Sequence, residues 1–162
     1  MTIPGYYDLA AARAWHLLLA WPFAFGLAAF LLAGLMNGHF RRDLVTRLGE
    51  WRWSAIREDI FRHLRLDFDH DEGKFNFLQK LAYGAIIFIA LPAMVLSGLA
   101  MSPAMNANWP WLIDLFGGRQ SARSIHFVIA WGLCGFLLLH VALVALSGPT
   151  TQLRAMITGG RT

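Results

Sequence analysis

Charged side chains are scarce in this chain, and three long stretches lack them. Of its 162 residues, 15% are charged and 57% are hydrophobic. No Asp, Glu, Lys or Arg occurs at positions 14–40, 81–113 or 124–153. A helix needs about 20 apolar residues to cross a hydrocarbon layer of about 30 Å, and each stretch is longer than that. The scarcity of charge excludes a soluble domain and predicts three membrane-spanning helices, which satisfy their own backbone hydrogen bonds.

Cysteine is nearly absent, and carboxylates are absent from the three apolar stretches. The single cysteine, Cys134, lies in the third stretch, which excludes a disulfide framework and a cysteine-ligated metal site. A histidine-based transporter of transition metals is disfavoured because the stretches contain no carboxylate or further metal ligand for a pathway. The net charge of +4 comes from basic residues beside the apolar stretches, and membrane orientation explains it better than nucleic-acid binding.

The sequence predicts an all-α fold, an integral membrane helical bundle that forms one domain over residues 1–162. Its spans are helix A at about 11–37, helix B at about 79–102 and helix C at about 123–147. A cleaved signal peptide is the alternative for the first stretch. It is disfavoured by Asp8, by the single flanking Arg13 and by the length of the apolar run. Pro22 and Pro92 lie inside helices A and B, where prolines are tolerated and usually cause kinks.

Basic residues are distributed unevenly between the two sides of the predicted bundle. The A–B loop, residues 38–78, and the C-terminal tail lie on one side and contain most of them: Arg41, Arg42, Arg47, Arg52, Arg57, Arg62, Arg65, Lys74, Arg154 and Arg161. The other side has Arg13, Arg119 and Arg123. The positive-inside rule therefore predicts a multi-pass membrane protein with the A–B loop and the C-terminus in the cytoplasm. The N-terminus and the 103–122 loop are predicted to lie on the opposite side.

The A–B loop contains one amphipathic segment. Its apolar residues recur at helical spacing, and the charged residues lie largely on another face; the apolar set is Trp53, Ile56, Ile60 and Leu64. Two positions are open for this predicted helix. It lies flat on the cytoplasmic interface, or it packs on the end of the bundle.

Three of the six histidines, His16, His126 and His140, lie within the predicted spans. Ionisable side chains are costly there, face the bundle interior and are candidates for function. The motif R-x-x-H-x-x-x-A-W occurs at 13–21 and again at 123–131. Because two crossings separate them, helices A and C run in the same direction. The repeated motif therefore predicts that His16 and His126 lie at one depth, with a shared ligand between them.

Histidine pairs of this kind are typical of bound haem. A neutral imidazole nitrogen ligates iron, and a flat porphyrin fits between bundle helices that each offer one axial histidine. Arg13 and Arg123, one turn nearer the water, are candidates to pair with haem propionates, and Arg119 is a further cofactor-binding candidate. His140 follows His126 by 14 residues, or about 21 Å along nearly the same face, which suits a second, deeper haem. Each histidine has a simpler alternative, a hydrogen bond to a neighbouring helix without any cofactor.

Several longer strings resemble a known family. They are 75–83 (FNFLQKLAY), 97–103 (SGLAMSP) and 116–127 (FGGRQSARSIHF), and the similarity covers nearly the whole chain, ending at 156–159. The chain resembles the prokaryotic di-haem cytochrome b membrane subunits, a group of four-helix proteins. That group includes the cytochrome b partners of nickel-iron hydrogenase, formate dehydrogenase and thiosulfate reductase.

The resemblance implies ligands for two haem b groups. In the family the last helix carries two ligating histidines, matched here by His126 and His140, and the second helix carries the partner of the outer one, matched by His16. The partner of the inner histidine comes from the family's first helix, which this chain is expected to lack. Helix A has Phe30 at the depth of His140, and helix B has Ile86 or Ile87 there. A second haem at His140 therefore needs a ligand from outside this chain, or the second haem is absent.

The resemblance also implies a location, the bacterial inner membrane, with the N-terminus and the 103–122 loop in the periplasm. It implies a function as well. Members are electron-transfer subunits, without substrate chemistry of their own, that connect a periplasmic redox partner with quinone. The partner is expected to be a molybdoenzyme, a hydrogenase or a cytochrome c that docks near Arg119 and Gln120, while quinone is expected near His140. A membrane anchor or assembly module without haem is the alternative function.

Overall fold

The computed structural model describes residues 8–46, 48–64 and 77–146, and every regular element within these ranges is a helix. Three helices are long and apolar enough to cross a membrane: Leu9–Met36, Phe77–Met101 and Arg119–Ala145. They confirm the predicted all-α membrane fold with three spans. The basic C-terminal tail and residues 65–76 of the A–B loop lie outside the described residues.

The first of two compact units, Met1–Arg42, contains the first span. Helix α1 (Leu9–Met36) begins after Asp8, whose carboxylate oxygen accepts a hydrogen bond of 2.9 Å from the backbone N–H of Ala11. An acceptor at this position satisfies one of the N–H groups that a helix leaves unpaired at its start. The helix therefore begins slightly earlier than hydropathy predicts, and it keeps Pro22 in its interior.

A short helix folds back at the end of α1. Gly38 adopts a left-handed backbone conformation (φ +63°), which glycine allows without steric cost, and α2 (His39–Asp43) follows it. The buried ring of Phe40 meets Phe30 edge-on at a centroid distance of 5.5 Å. A Cβ on Gly34 would collide with the Phe40 ring, so the glycine permits this close packing.

The second compact unit, Asp43–Thr162, starts with a 3₁₀ turn (Leu48–Trp51) and helix α3 (Trp53–Leu64). Three contacts join this segment to the start of the second span. The Asp59 carboxylate accepts a hydrogen bond of 2.8 Å from the backbone N–H of Leu78, and the Lys80 ammonium forms a salt bridge of 2.8 Å with the Glu50 carboxylate. The rings of Trp51 and Phe77 meet edge-on, with 5.1 Å between their centroids. The amphipathic helix thus packs on the end of the second span, one of the two positions left open by its sequence.

The second span is interrupted by a wider turn. It comprises α4 (Phe77–Ala85), a π-helical turn (Ile86–Ala90) and α5 (Leu91–Met101). Pro92 has no N–H, and its ring clashes with a carbonyl in the usual position four residues earlier. The backbone N–H of Leu91 bonds to the carbonyl of Ile86, five residues back, which produces the wider turn before the proline.

Two short helices, α6 (Pro103–Asn108) and α7 (Pro110–Leu115), connect the second and third spans. Gly117 and Gly118 then adopt left-handed conformations (φ +72° and +99°) and lead into α8 (Arg119–Leu146). A small apolar core lies where these elements meet α5, formed by Ala100, Leu112 and Ala122. From this core α8 packs along α5 in the opposite direction.

Many large apolar side chains on the spans are exposed, among them Phe25, Trp131 and Leu138. In a bilayer, lipid chains solvate such side chains, and helices associate through close packing and hydrogen bonds rather than through burial of apolar surface from water. Polar contacts between spans are therefore informative about both stability and function.

Candidate functional site

One face of α8 carries both histidines of the third span. Its partly or fully buried positions recur at helical spacing, singly or in adjacent pairs: Ser121, Ala122, Ile125, His126, Ile129, Ala130, Leu133, Phe136, His140, Leu143 and Val144. This spacing forms a single stripe along the helix, and the stripe packs against α5 and meets Tyr83 of α4. His126 and His140 therefore lie on the side of α8 that faces the second span.

Near one end of the stripe, His126 contacts a buried serine. Its Nδ1 atom lies 3.0 Å from Oγ of Ser97, whose side chain is 0% exposed. The Ser97 hydroxyl also donates a hydrogen bond of 3.1 Å to the backbone carbonyl of Met94. At the next residue, Gly98, a Cβ would lie 3.4 Å from Cε1 of His126. The imidazole is therefore held against the backbone of α5. We call Ser97 and His126 the serine pair.

Fourteen residues further along α8, His140 is held by aromatic rings. Its ring stacks on Phe136 with 6.0 Å between centroids and 8° between planes, and Tyr83 meets it edge-on at 6.0 Å. We call Tyr83 and His140 the tyrosine pair. Because Ser97 follows Tyr83 by the same 14 residues, the two pairs share one antiparallel register between the second and third spans.

The sequence matches a known family along almost its entire length. The model of the family described as prokaryotic cytochrome b561 matches residues 1–159. The chain belongs to this family. It is also 32% identical over 161 residues to the "Putative protein-methionine-sulfoxide reductase subunit YedZ1" of Azospira oryzae, an alignment that covers 98% of this chain and 75% of that relative. No solved structure matches the chain significantly.

Membership of the family establishes the class of cofactor and of reaction. The cytochrome b561 chain is a multi-pass membrane protein that binds haem b and transfers electrons. The resemblance to cytochrome b membrane subunits is thus confirmed at the level of the family. The alternative of an anchor without haem is disfavoured by the same finding.

The residues of the second unit fit a haem b. An axial histidine ligates iron through an unprotonated imidazole nitrogen. The contact with Ser97 engages Nδ1 of His126, and Nε2, on the other side of the ring, is the nitrogen that would bind iron. Around His140, the flat surfaces of Phe136 and Tyr83 provide the apolar surroundings that suit a porphyrin. The donor set and its surroundings therefore agree with the cofactor of the cytochrome b561 family.

The predicted site residues of the cytochrome b561 chain are divided between the two compact units. The two on α1, in the first unit, are exposed: Arg13 and His16. On α8, in the second unit, the two arginines Arg119 and Arg123 are exposed. The two histidines of α8, His126 and His140, are half-buried. The Arg123 guanidinium donates a hydrogen bond of 2.9 Å to the side-chain oxygen of Gln120. The structure brings His126 together with Ser97, and His140 together with Tyr83.

Ser97 and Tyr83 are site residues that sequence patterns alone do not single out. A serine or a tyrosine in a membrane helix has many uses, and its partner depends on how that helix packs. The signal that could have found both is their spacing. Tyr83 and Ser97 are as far apart as His126 and His140, on spans that run in opposite directions.

Proposed function

We propose that His16 and His126 are the two axial ligands of one haem b. The observation that carries the proposal is positional. Helices α1 and α8 both have 28 residues, and each carries the histidine of its R-x-x-H-x-x-x-A-W motif as its eighth residue. At about 1.5 Å per residue, each histidine lies about 10 Å from the start of its helix. Two crossings separate the spans, so the membrane topology predicts that the two imidazoles lie at one depth.

Haem b supplies a one-electron iron couple, and the chain supplies its ligands and its surroundings. Arg13 and Arg123, each three residues before its histidine, are proposed to pair with the propionates, and Arg119 adds positive charge at the same end. Exposed guanidinium groups near the helix starts suit this role, because propionates need charged partners where the apolar layer meets water.

His140 is proposed as one ligand of a second haem b, deeper in the membrane. It lies about 21 Å from His126 along α8, on nearly the same face. The rings of Phe136 and Tyr83 beside it provide an apolar wall. The other axial ligand of this haem is proposed to come from outside residues 1–162.

The proposed electron path connects quinone with a redox enzyme subunit on the periplasmic side of the bacterial inner membrane. One support is the relative from Azospira oryzae, which is named as a reductase subunit. The other is the distribution of basic residues, which favours an orientation with the serine pair near the periplasm and the tyrosine pair near the cytoplasm. The partner is therefore proposed to dock near Arg119 and Gln120, and quinone to bind near His140.

Absorption spectra test the ligand assignment. Purified protein is expected to show the reduced-minus-oxidised bands of six-coordinate haem, and a colourless preparation would contradict the proposal. His16→Ala and His126→Ala are each expected to remove the same haem, whereas His140→Ala leaves it in place. His39→Ala, outside the spans, is the control and is expected to retain all haem. If His16→Ala or His126→Ala keeps the full spectrum, the ligand assignment is wrong.

Membrane vesicles test the electron path. A short-chain quinol is expected to reduce the haem, and His140→Ala is expected to slow this reduction while leaving the dithionite-reduced spectrum of the His16–His126 haem unchanged. Stopped-flow absorbance measures both. Equal rates of reduction by quinol in the two proteins would contradict the placement of quinone near His140.

Cysteine labelling tests the orientation. In a Cys134→Ser background, Ala107→Cys in the 103–122 loop is expected to react with a membrane-impermeant maleimide in intact spheroplasts. Ser54→Cys on α3 is expected to react only after lysis, and both positions are exposed in the structure. The reverse pattern would overturn the proposed orientation.

A further inference from the structure

Ser97 is unusual among the side chains that the structure describes, because it is polar and fully buried within a pair of membrane-spanning helices. A hydroxyl in apolar surroundings is costly unless its hydrogen-bonding groups are paired. Two neighbours provide that pairing, the carbonyl of Met94 at 3.1 Å and Nδ1 of His126 at 3.0 Å. Alanine at this position would avoid the cost altogether. The hydroxyl is therefore informative about the histidine that it contacts.

The protons of this small network can be counted. A hydroxyl has one proton and two acceptor lone pairs, and a neutral imidazole has one N–H and one unprotonated nitrogen. Because the Ser97 hydroxyl donates its proton to the Met94 carbonyl, its oxygen faces His126 with a lone pair. Nδ1 of His126 is then the N–H donor, and the ring lone pair lies on Nε2. This is the tautomer that ligates iron through Nε2.

We propose that Ser97 is a positioning residue for the haem ligand His126. By accepting the Nδ1–H hydrogen bond, Ser97 fixes the tautomer and the ring plane of His126. The same hydrogen bond lowers the reduction potential of the iron. The inference rests on the proposed function, in which His126 is an axial ligand. A hydrogen bond from the far ring nitrogen makes the imidazole a stronger electron donor, which stabilises ferric over ferrous iron. Gly98 supports the same geometry, because it lets Cε1 of His126 approach the backbone of α5.

The test compares three serine variants of the haem-loaded protein in detergent. Ser97→Ala removes the hydrogen-bond acceptor, and Ser97→Cys replaces it with a weaker one. Ser124→Ala is the matched control. Its hydroxyl lies two residues before His126 on the same helix and bonds to the Gln120 carbonyl at 3.2 Å.

Two quantities are measured, the rate of haem transfer to excess apomyoglobin and the midpoint potential in a redox titration. Ser97→Ala is expected to weaken haem binding about 10–100-fold, which is the usual effect of removing the hydrogen-bond partner of a metal ligand. Haem transfer is therefore expected to be faster than in wild type, and the midpoint potential to be higher. Ser97→Cys is expected to lie between wild type and Ser97→Ala in both measurements, and Ser124→Ala to match wild type. The potential is the decisive readout, because a change in helix packing alone would alter haem release without this graded shift.

His126→Ala separates this inference from the proposed function. If His126→Ala removes the haem while both Ser97 variants keep the wild-type release rate and potential, the role of Ser97 is wrong and the ligand assignment stands. If His126→Ala retains the haem, the ligand assignment is wrong and the role of Ser97 falls with it. Should Ser97→Ala fail to accumulate in the membrane, Ser97→Cys decides alone, and an unchanged potential then contradicts the inference.

Discussion

The two histidines of α8 are held in different ways. His126 is hydrogen bonded to a buried hydroxyl, which determines the ring nitrogen that carries the proton. His140 lies against the rings of Phe136 and Tyr83, which restrict its ring without distinguishing its two nitrogens. The hydroxyl of the serine pair thus holds His126 in the tautomer that binds iron through Nε2, whereas the tyrosine pair provides apolar surroundings for His140. The difference agrees with the proposed ligands, in which His126 pairs with His16 and His140 takes its partner from outside residues 1–162.

The largest contrast is expected from removal of each imidazole. His126→Gly is expected to lose the haem spectrum, and added imidazole to restore it, because Ser97 Oγ remains in place to accept a hydrogen bond from the added ring. His140→Gly is expected to leave the same haem unchanged, with or without imidazole. An imidazole titration followed by absorbance measures both. If imidazole restores the haem spectrum of the double variant His126→Gly/Ser97→Ala as fully as that of His126→Gly, the contrast between the two pairs is wrong.

An intermediate effect is expected from Phe136→Ala at the tyrosine pair. The substitution removes the ring that stacks on His140, and aromatic pairs of this kind contribute about 0.5–1.5 kcal/mol beyond their buried area. Thermal unfolding in detergent is expected to show a loss of at least that size, with the spectrum of the His16–His126 haem unchanged. Leu138→Ala, at an exposed position of the same helix, is the control and is expected to cost less. A changed haem spectrum in Phe136→Ala would mean that the two pairs are coupled.

The smallest effect is expected from the glycines that follow Tyr83 and Ser97. Alanine favours a helix over glycine by up to about 1 kcal/mol at either position. A Cβ at Gly84 meets nothing within 4 Å, whereas at Gly98 it lies 3.4 Å from Cε1 of His126. Gly84→Ala is therefore expected to leave haem release unchanged. Gly98→Ala is expected to speed it by less than about tenfold, since the new contact is at the edge of ordinary van der Waals packing. Equal release rates would show that Gly98 has no part in holding the ring.

Hydropathy predicts the three spans because a helix in lipid must be long, apolar and internally hydrogen bonded, and each of these properties is local. The ends of the spans depend on other chemistry. Helix α8 begins at Arg119, before the start at about residue 123 that hydropathy predicts, because the left-handed pair Gly117 and Gly118 ends the preceding turn. Pro92 predicts a kink, but the π-helical turn before it depends on how the freed backbone groups find partners, which the sequence does not specify.

The histidines of the site are predictable one by one, and their contacts are not. His126 and His140 stand out because an ionisable group inside the membrane is costly. Ser97 does not stand out, because a serine hydroxyl in a helix commonly bonds to its own backbone. Its position opposite His126 follows from the register between α5 and α8, which is a property of the packed pair and of neither segment alone. The pairing of His16 with His126 stays a prediction.

The most direct test of that pairing is the haem-to-protein ratio of the double variant His16→Ala/His126→Ala beside the two single variants. Two residues that ligate one iron act as a unit, so their substitutions are not additive. We expect the double variant to lose no more haem than either single variant, with the same bands missing from all three spectra. A double variant that loses more haem than either single variant would contradict the pairing, because each histidine would then serve a different haem.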